Sequence, residues 1–268
     1  MLALKLALVP SFLWFISLSG KWWGPKAAGW LAGFPVVAGP ILFLLAMEKG
    51  PEFAAQAAML SVSAICASEA FNFTYAWACR TARWPTAFAL ALVCWLLVAS
   101  VLSKLPATLP WCIGVAFVAV VIGQRFLPRS TVEVSGLPLR LRDLAMRMFL
   151  GALLTVVVTY LAAVVGPKWS GLLAVFPLLG SILSVSSHRA HGSEFVVSLL
   201  RGMVLGRFSF AAFCLTLAVL LPIQGIGIAF GIALVLAMLV QWTTRMIANT
   251  ASETCSRNAQ RCQRRNKS

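Results

Sequence analysis

Gly24-Pro25-Lys26-Ala27-Ala28-Gly29-Trp30-Leu31-Ala32-Gly33-Phe34-Pro35 returns later in the chain as Gly166-Pro167-Lys168-Trp169-Ser170-Gly171-Leu172-Leu173-Ala174-Val175-Phe176-Pro177. The offset is 142 residues, and it holds without a gap to Gly50-Pro51-Glu52-Phe53 and Gly192-Ser193-Glu194-Phe195. Across this segment 11 of 30 positions are identical. Two Leu/Ala-rich segments would share about three or four by chance, without concentrating on Gly, Pro, Lys and Glu. At the same offset Lys5 meets Arg147, and the apolar run 86–103 meets 228–245. The spacing predicts one helical unit present twice.

The surroundings of the repeat set the solvent. The 268 residues are 60% hydrophobic and 11% charged, with mean hydropathy +0.91. A soluble domain is nearer half apolar and a quarter charged. Nine apolar runs follow one another: 2–19, 28–47, 53–78, 86–103, 107–124, 144–165, 171–187, 195–220 and 224–244. Each approaches the length needed to cross a hydrocarbon layer of about 30 Å as a helix. Runs 53–78 and 195–220 are longer and call for tilt or a break. Pro35 and Pro177 lie inside their runs; each removes a backbone hydrogen bond and predicts a kinked or discontinuous helix. Trp22, Trp23, Trp84, Trp111, Trp169 and Trp242 stand at run ends, as interfacial aromatics do. The first run is read as a span rather than a signal peptide, since no small-residue cleavage site follows it.

The expected fold is therefore all-α: a polytopic membrane protein of about nine transmembrane helices in two inverted repeats with a linker helix. The divisions are 1–105 for the first repeat, 106–142 for the linker helix and cytoplasmic loop, 143–247 for the second repeat, and 248–268 for a basic, disordered cytoplasmic tail. Five spans separate the two Gly-Pro-Lys motifs. An odd number makes the copies face opposite ways.

The net charge of +15 follows the spans. With nine spans, 16 Lys and Arg fall on one side, including Arg80, Arg83, Arg125, Arg129, Arg140, Arg189 and the tail; Lys5, Lys49, Lys104 and Lys168 make 4 on the other. This bias puts the C-terminus in the cytoplasm and the N-terminus outside. The pattern is that of a membrane surface and not of nucleic-acid binding. The partners expected are the lipid bilayer, with anionic lipid at the basic cytoplasmic face, and a small-molecule solute.

Ionisable residues inside apolar runs mark function by default. Glu69 lies in the third run, about 14 Å from its inner end at 1.5 Å per residue. Arg201 and Arg207 lie in the eighth, roughly 10 and 20 Å deep on the same rise. Glu69 is thus expected to pair with Arg207 or Arg201, leaving a surplus positive charge for an anionic solute or a lipid phosphate, or a structural ion pair with the second arginine at the interface. Asn72, with Ser61, Ser63, Ser68, Thr74 and Tyr75, makes the most polar stretch of any run. Gly202/Gly206 and Gly227/Gly231 are small-xxx-small pairs that predict close helix packing. His188 and His191 close the seventh run, as a proton relay, a phosphate contact or an ordinary turn. The seven cysteines show neither a disulfide framework nor metal-ligand spacing. No cofactor or metal is expected. No P-loop, H-E-x-x-H, G-x-S-x-G or paired-carboxylate cluster points to an enzyme.

At Gly171-Leu172-Leu173-Ala174-Val175-Phe176-Pro177, followed by His188 and Gly192, the chain resembles the small GlpM-type bacterial inner-membrane proteins. The shared element is a Gly-x-x-x-x-Phe-Pro helix leading to a His and Gly turn, over about 30 residues per copy. The first copy carries Ala46 where His188 would fall. The family is linked to alginate production, so the resemblance implies membrane residence and a role in the envelope. Inverted repeats with proline breaks at matching positions are a pattern of secondary transporters. The functional expectation is a secondary transporter or exporter of a small solute, an anion among the options, with Pro35, Pro177, Glu69, Arg201 and Arg207 along the path. The alternative is a non-transporting accessory protein in cell-envelope or polysaccharide biogenesis.

Overall fold

A computed structural model describes residues 2–35, 38–105, 108–128, 141–164 and 176–265. The second Gly-Pro-Lys motif, through Val175, lies outside the described residues, as do Trp169 and most of the loop before Leu141. Among the described residues there are nine helices and no strand: α1 (Leu2–Ala32), α2 (Ala38–Lys49), α3 (Pro51–Ala78), α4 (Trp84–Leu102), α5 (Leu109–Phe126), α6 (Leu141–Val164), α7 (Leu178–His191), α8 (Ser193–Leu220) and α9 (Ile226–Arg265). Five are long and apolar enough to cross a membrane: α3, α4, α5, α8 and the Ile226–Met246 part of α9. With the composition, they make this an integral, multi-pass helical membrane protein.

Helix boundaries follow local chemistry. Proline opens α3 and stands in the first turn of α4 and α5, where its missing N–H costs no hydrogen bond. Gly24 (φ 82°) kinks α1 just before Pro25. The second apolar run does not form one helix. It stops at Ala32 and restarts at Ala38, with Phe34-Pro35 in the break. Phe176-Pro177 likewise precedes α7, with Pro177 as its N-cap. The long runs 53–78 and 195–220 are unbroken: α3 and α8 have 28 residues each, about 42 Å at 1.5 Å per residue. Where disorder was expected after Ala248, the backbone of α9 stays helical to Arg265. No Gly or Pro interrupts 232–265, so nothing in the backbone stops the helix.

The described helices recur at the offset of 142. α3 and α8 share both bounds on that shift, and α4 and α9 share their start. Gly50 (φ 94°) and Gly192 (φ 80°) occupy the same left-handed junction between a short helix and a long one. Glu52 and Glu194 follow in the first turn, where a carboxylate complements the helix dipole. Burial recurs too. Ala87, Ala91, Trp95 and Ala99 make the inward stripe of α4, and Ala229, Ala233, Ala237 and Gln241 that of α9. Phe71 and Phe213 are both fully buried.

The tightest packing joins α1 to α8. A Cβ on Gly29 would run into the Leu199 carbonyl, one on Gly202 into the Lys26 carbonyl, and one on Gly206 into Trp30 and Gly33. Gly29-x-x-x-Gly33 thus seats backbone to backbone on Gly202-x-x-x-Gly206. Gly227 and Gly231, expected to do the same, meet nothing within 4 Å in this chain. They lie on the outward side of α9, away from the stripe Ala229, Ala233 and Ala237. Trp22, Trp23, Trp84, Trp111 and Trp242 are exposed, in keeping with their places at run ends.

Candidate functional site

α3 and α8 pack directly against each other and bring two buried, opposite charges together. Arg207 Nε donates to Glu69 Oε1 at 2.9 Å, and both side chains are buried, 9% and 3% exposed. Asn72 Nδ2 donates to the same oxygen at 3.3 Å from one turn along α3. Glu69 Oε2 has no hydrogen-bond partner among the described residues. It lies against α5, where a Cβ on Gly123 would stand 3.2 Å away. A charge pair in this setting needs its mutual attraction and added hydrogen bonds to offset desolvation, and Asn72 supplies one of them.

Arg201 does not join the pair. Its Nη1 donates to the Leu127 carbonyl at 2.7 Å, with the Pro128 carbonyl at 3.4 Å. It therefore caps the C-terminal end of α5, where free carbonyls and the helix dipole favour a cation. Of the two pairings open in the sequence, the structure has Glu69 with Arg207. The surplus positive charge is held about two helical turns away.

Arg207 also borders a small cavity of about 70 Å³. Its lining comes from both Phe-Pro segments, Phe34 from one and Phe176 and Pro177 from the other, together with Ser68, Met203 and Phe210. Trp95 of α4 holds Phe176 edge-on, ring centroids 5.0 Å apart. Pro35 lines a second, apolar cavity with Phe12, Phe15 and Leu31, and Phe34 stands in the wall of both. Glu69 is not in the lining and reaches the first cavity only through Arg207.

His188 and His191 face different neighbours. His188 Nδ1 is 3.3 Å from the Tyr75 hydroxyl on α3. His191 packs on Phe195 and borders a third cavity with Ser17, Lys21 and Arg147. No group of three or more His, Cys, Asp or Glu side chains suited to a metal ion occurs among the described residues.

Several polar residues of the interior escaped the sequence reading. Arg147 is buried and donates to Ser17 Oγ at 3.1 Å and Ser187 Oγ at 3.4 Å. Its offset from Lys5 was the only signal. Gln241 Nε2 donates at 2.9 Å to the Trp30 carbonyl near the end of α1, and Ser209 Oγ bonds Gln241 Oε1. A lone glutamine in an apolar run was the available sign. Ser181 and Ser184 are buried on α7 with no hydrogen-bond partner for their hydroxyls.

No protein-family model matches the chain, and no curated protein or solved structure matches it either.

Proposed function

We propose that the chain is a secondary transporter or exporter of a small solute, built from two inverted copies of one helical unit, residing in a bacterial inner membrane with its C-terminus in the cytoplasm. The observation that carries this reading is the cavity lined by Phe34 and by Phe176-Pro177 and bordered by Arg207, which pairs with Glu69 outside the lining. Broken helices that open a midplane cavity at a repeat interface are how such carriers expose backbone and charge to a solute without exposing them to lipid. The repeat is supported by the shared bounds of α3 and α8, by the paired Gly50 and Gly192 junctions, and by contact between repeat-mates (α3 with α8, α1 with α6) of the kind a pseudo-twofold axis produces.

The charge pair is absent from the repeat itself. At the offset of 142, Arg207 corresponds to Ile65 and Glu69 to Ala211. A residue needed only for packing would be an apolar one in both copies. The resemblance to GlpM-type proteins favours an envelope-related solute. Metabolite profiling of a deletion strain would name the solutes, and flux of those solutes into proteoliposomes holding the purified chain would test the reading. Flux lost in Glu69→Gln supports it. Unchanged flux with only a lowered melting temperature would leave Glu69 structural, and no flux of any accumulated solute would favour the accessory-protein alternative.

A further inference from the structure

The lining of the cavity mixes polar donors with apolar surface. The polar part is Arg207, Ser68 and the first turn of α7. The guanidinium uses Nε on Glu69, while its two Nη groups make no hydrogen bond among the described residues. Ser68 Oγ is buried without a partner among the described residues, the residue being 1% exposed. α7 opens with no side-chain cap, and Leu178, Leu179 and Gly180 of its first turn are in the wall. The Leu178 amide donates to the Phe176 carbonyl at 2.6 Å; those of Leu179 and Gly180 have no intrahelical acceptor and carry the positive end of the helix dipole. The apolar part is Phe34, Phe176, Phe210 and Met203, with the Arg207 guanidinium carbon 5.9 Å from the Phe210 ring centroid.

We propose that this cavity binds a small monocarboxylate with an aromatic or branched aliphatic body. The paired Nη groups present a planar fork that matches a carboxylate. Ser68 and the Leu179 and Gly180 amides add donors to the polar part, and a hydroxyl with no partner among the described residues gains one. Glu69 turns its second oxygen toward Gly123 of α5, so the charge facing the cavity is positive. A multiply charged inorganic anion would be desolvated against aromatic walls with one guanidinium to compensate it, whereas an apolar body fills those walls. The inference rests on the transport reading only for the solute's movement; binding stands on the cavity alone.

The test uses the full chain purified in detergent, with 3-phenylpropionate and 4-methylvalerate as probes and 3-phenylpropionamide as the neutral control, read by calorimetry. At least one acid should bind, and 3-phenylpropionate at least tenfold tighter than its amide. Ser68→Ala should weaken acid binding about three- to tenfold, the loss of one hydrogen bond to a charged group. The double variant Glu69→Gln/Arg207→Gln keeps a hydrogen-bonding pair in the core and should lose acid binding more than 100-fold, with circular dichroism reporting the fold. Equal affinity for acid and amide, binding of neither acid, or undiminished binding by a folded double variant would overturn the proposal. Proteoliposome flux of the same probes separates the two readings. Acid binding without flux leaves this site standing and removes transport; flux with no preference for the carboxylate keeps transport and removes this site.

Discussion

Arg207 Nε stands 2.9 Å from Glu69 Oε1 and ties α8 to α3 where both helices are buried. Removing one partner strands the other charge in a low-dielectric interior, at about 3–5 kcal/mol. Glu69→Ala and Arg207→Ala should each lose about that much, and the double variant should cost clearly less than the two together. A double-mutant cycle on denaturation in detergent measures the coupling. Additive losses would mean that the pair does not interact.

Gly50 and Gly192 hold positive φ with no atom within 4 Å of where a Cβ would point. An alanine there meets no clash among the described residues, so its cost is backbone strain: positive φ with ψ of 162° and −178° is open essentially to glycine, at about 1–3 kcal/mol. Gly50→Ala and Gly192→Ala should therefore destabilise by similar amounts. Unfolding midpoints of the two variants check this, and a neutral Gly192→Ala would argue against equivalent junctions.

How far the sequence could be read depended on the kind of signal. Helical character, membrane residence and the break at Pro35 were visible because composition and proline act locally; Pro177 stands at the start of α7, and the residues before Phe176 lie outside those described. Glu69 and Arg207 stood out because charge is rare in apolar runs, yet their partnership needed helix rotation: Arg201 lies six residues earlier on the same helix and points to α5 instead. The cavity walls Phe34, Phe176 and Phe210 look in sequence like any other core aromatics. Gly29 and Gly33 share the four-residue spacing of Gly227 and Gly231, and spacing alone does not say which face meets a neighbour.

Arg201 serves the end of α5 through the Leu127 carbonyl at 2.7 Å, without contact to the Glu69 pair. Arg201→Ala should cost about 1–3 kcal/mol, the worth of a charge-assisted hydrogen bond at a partly buried site. Solute binding in the Arg207 cavity should stay within a factor of about two, since no lining residue changes. Parallel thermal melts and binding titrations check both halves. A loss of binding larger than the loss of stability explains would place Arg201 on the solute path.

The seam of Gly29 and Gly33 against Gly202 and Gly206 gives the sharpest contrast between glycines of one sequence pattern. A methyl group on Gly206 would enter the Trp30 carbonyl and the Gly33 backbone, neither of which is a side chain that can swing away. The helices must separate, which removes contacts along α1 and α8 as well as straining the site. Gly206→Ala should therefore destabilise by about 1–3 kcal/mol or more, the range for overpacking a close-packed core. Gly227→Ala and Gly231→Ala, with nothing within 4 Å, meet no such obstacle. They should be neutral or stabilising by up to about 1 kcal/mol, through the higher helix propensity of alanine. Melting temperatures of the three variants decide the matter. If Gly231→Ala proved as damaging as Gly206→Ala, the outward face of α9 would have to be packed against something other than the described residues of this chain.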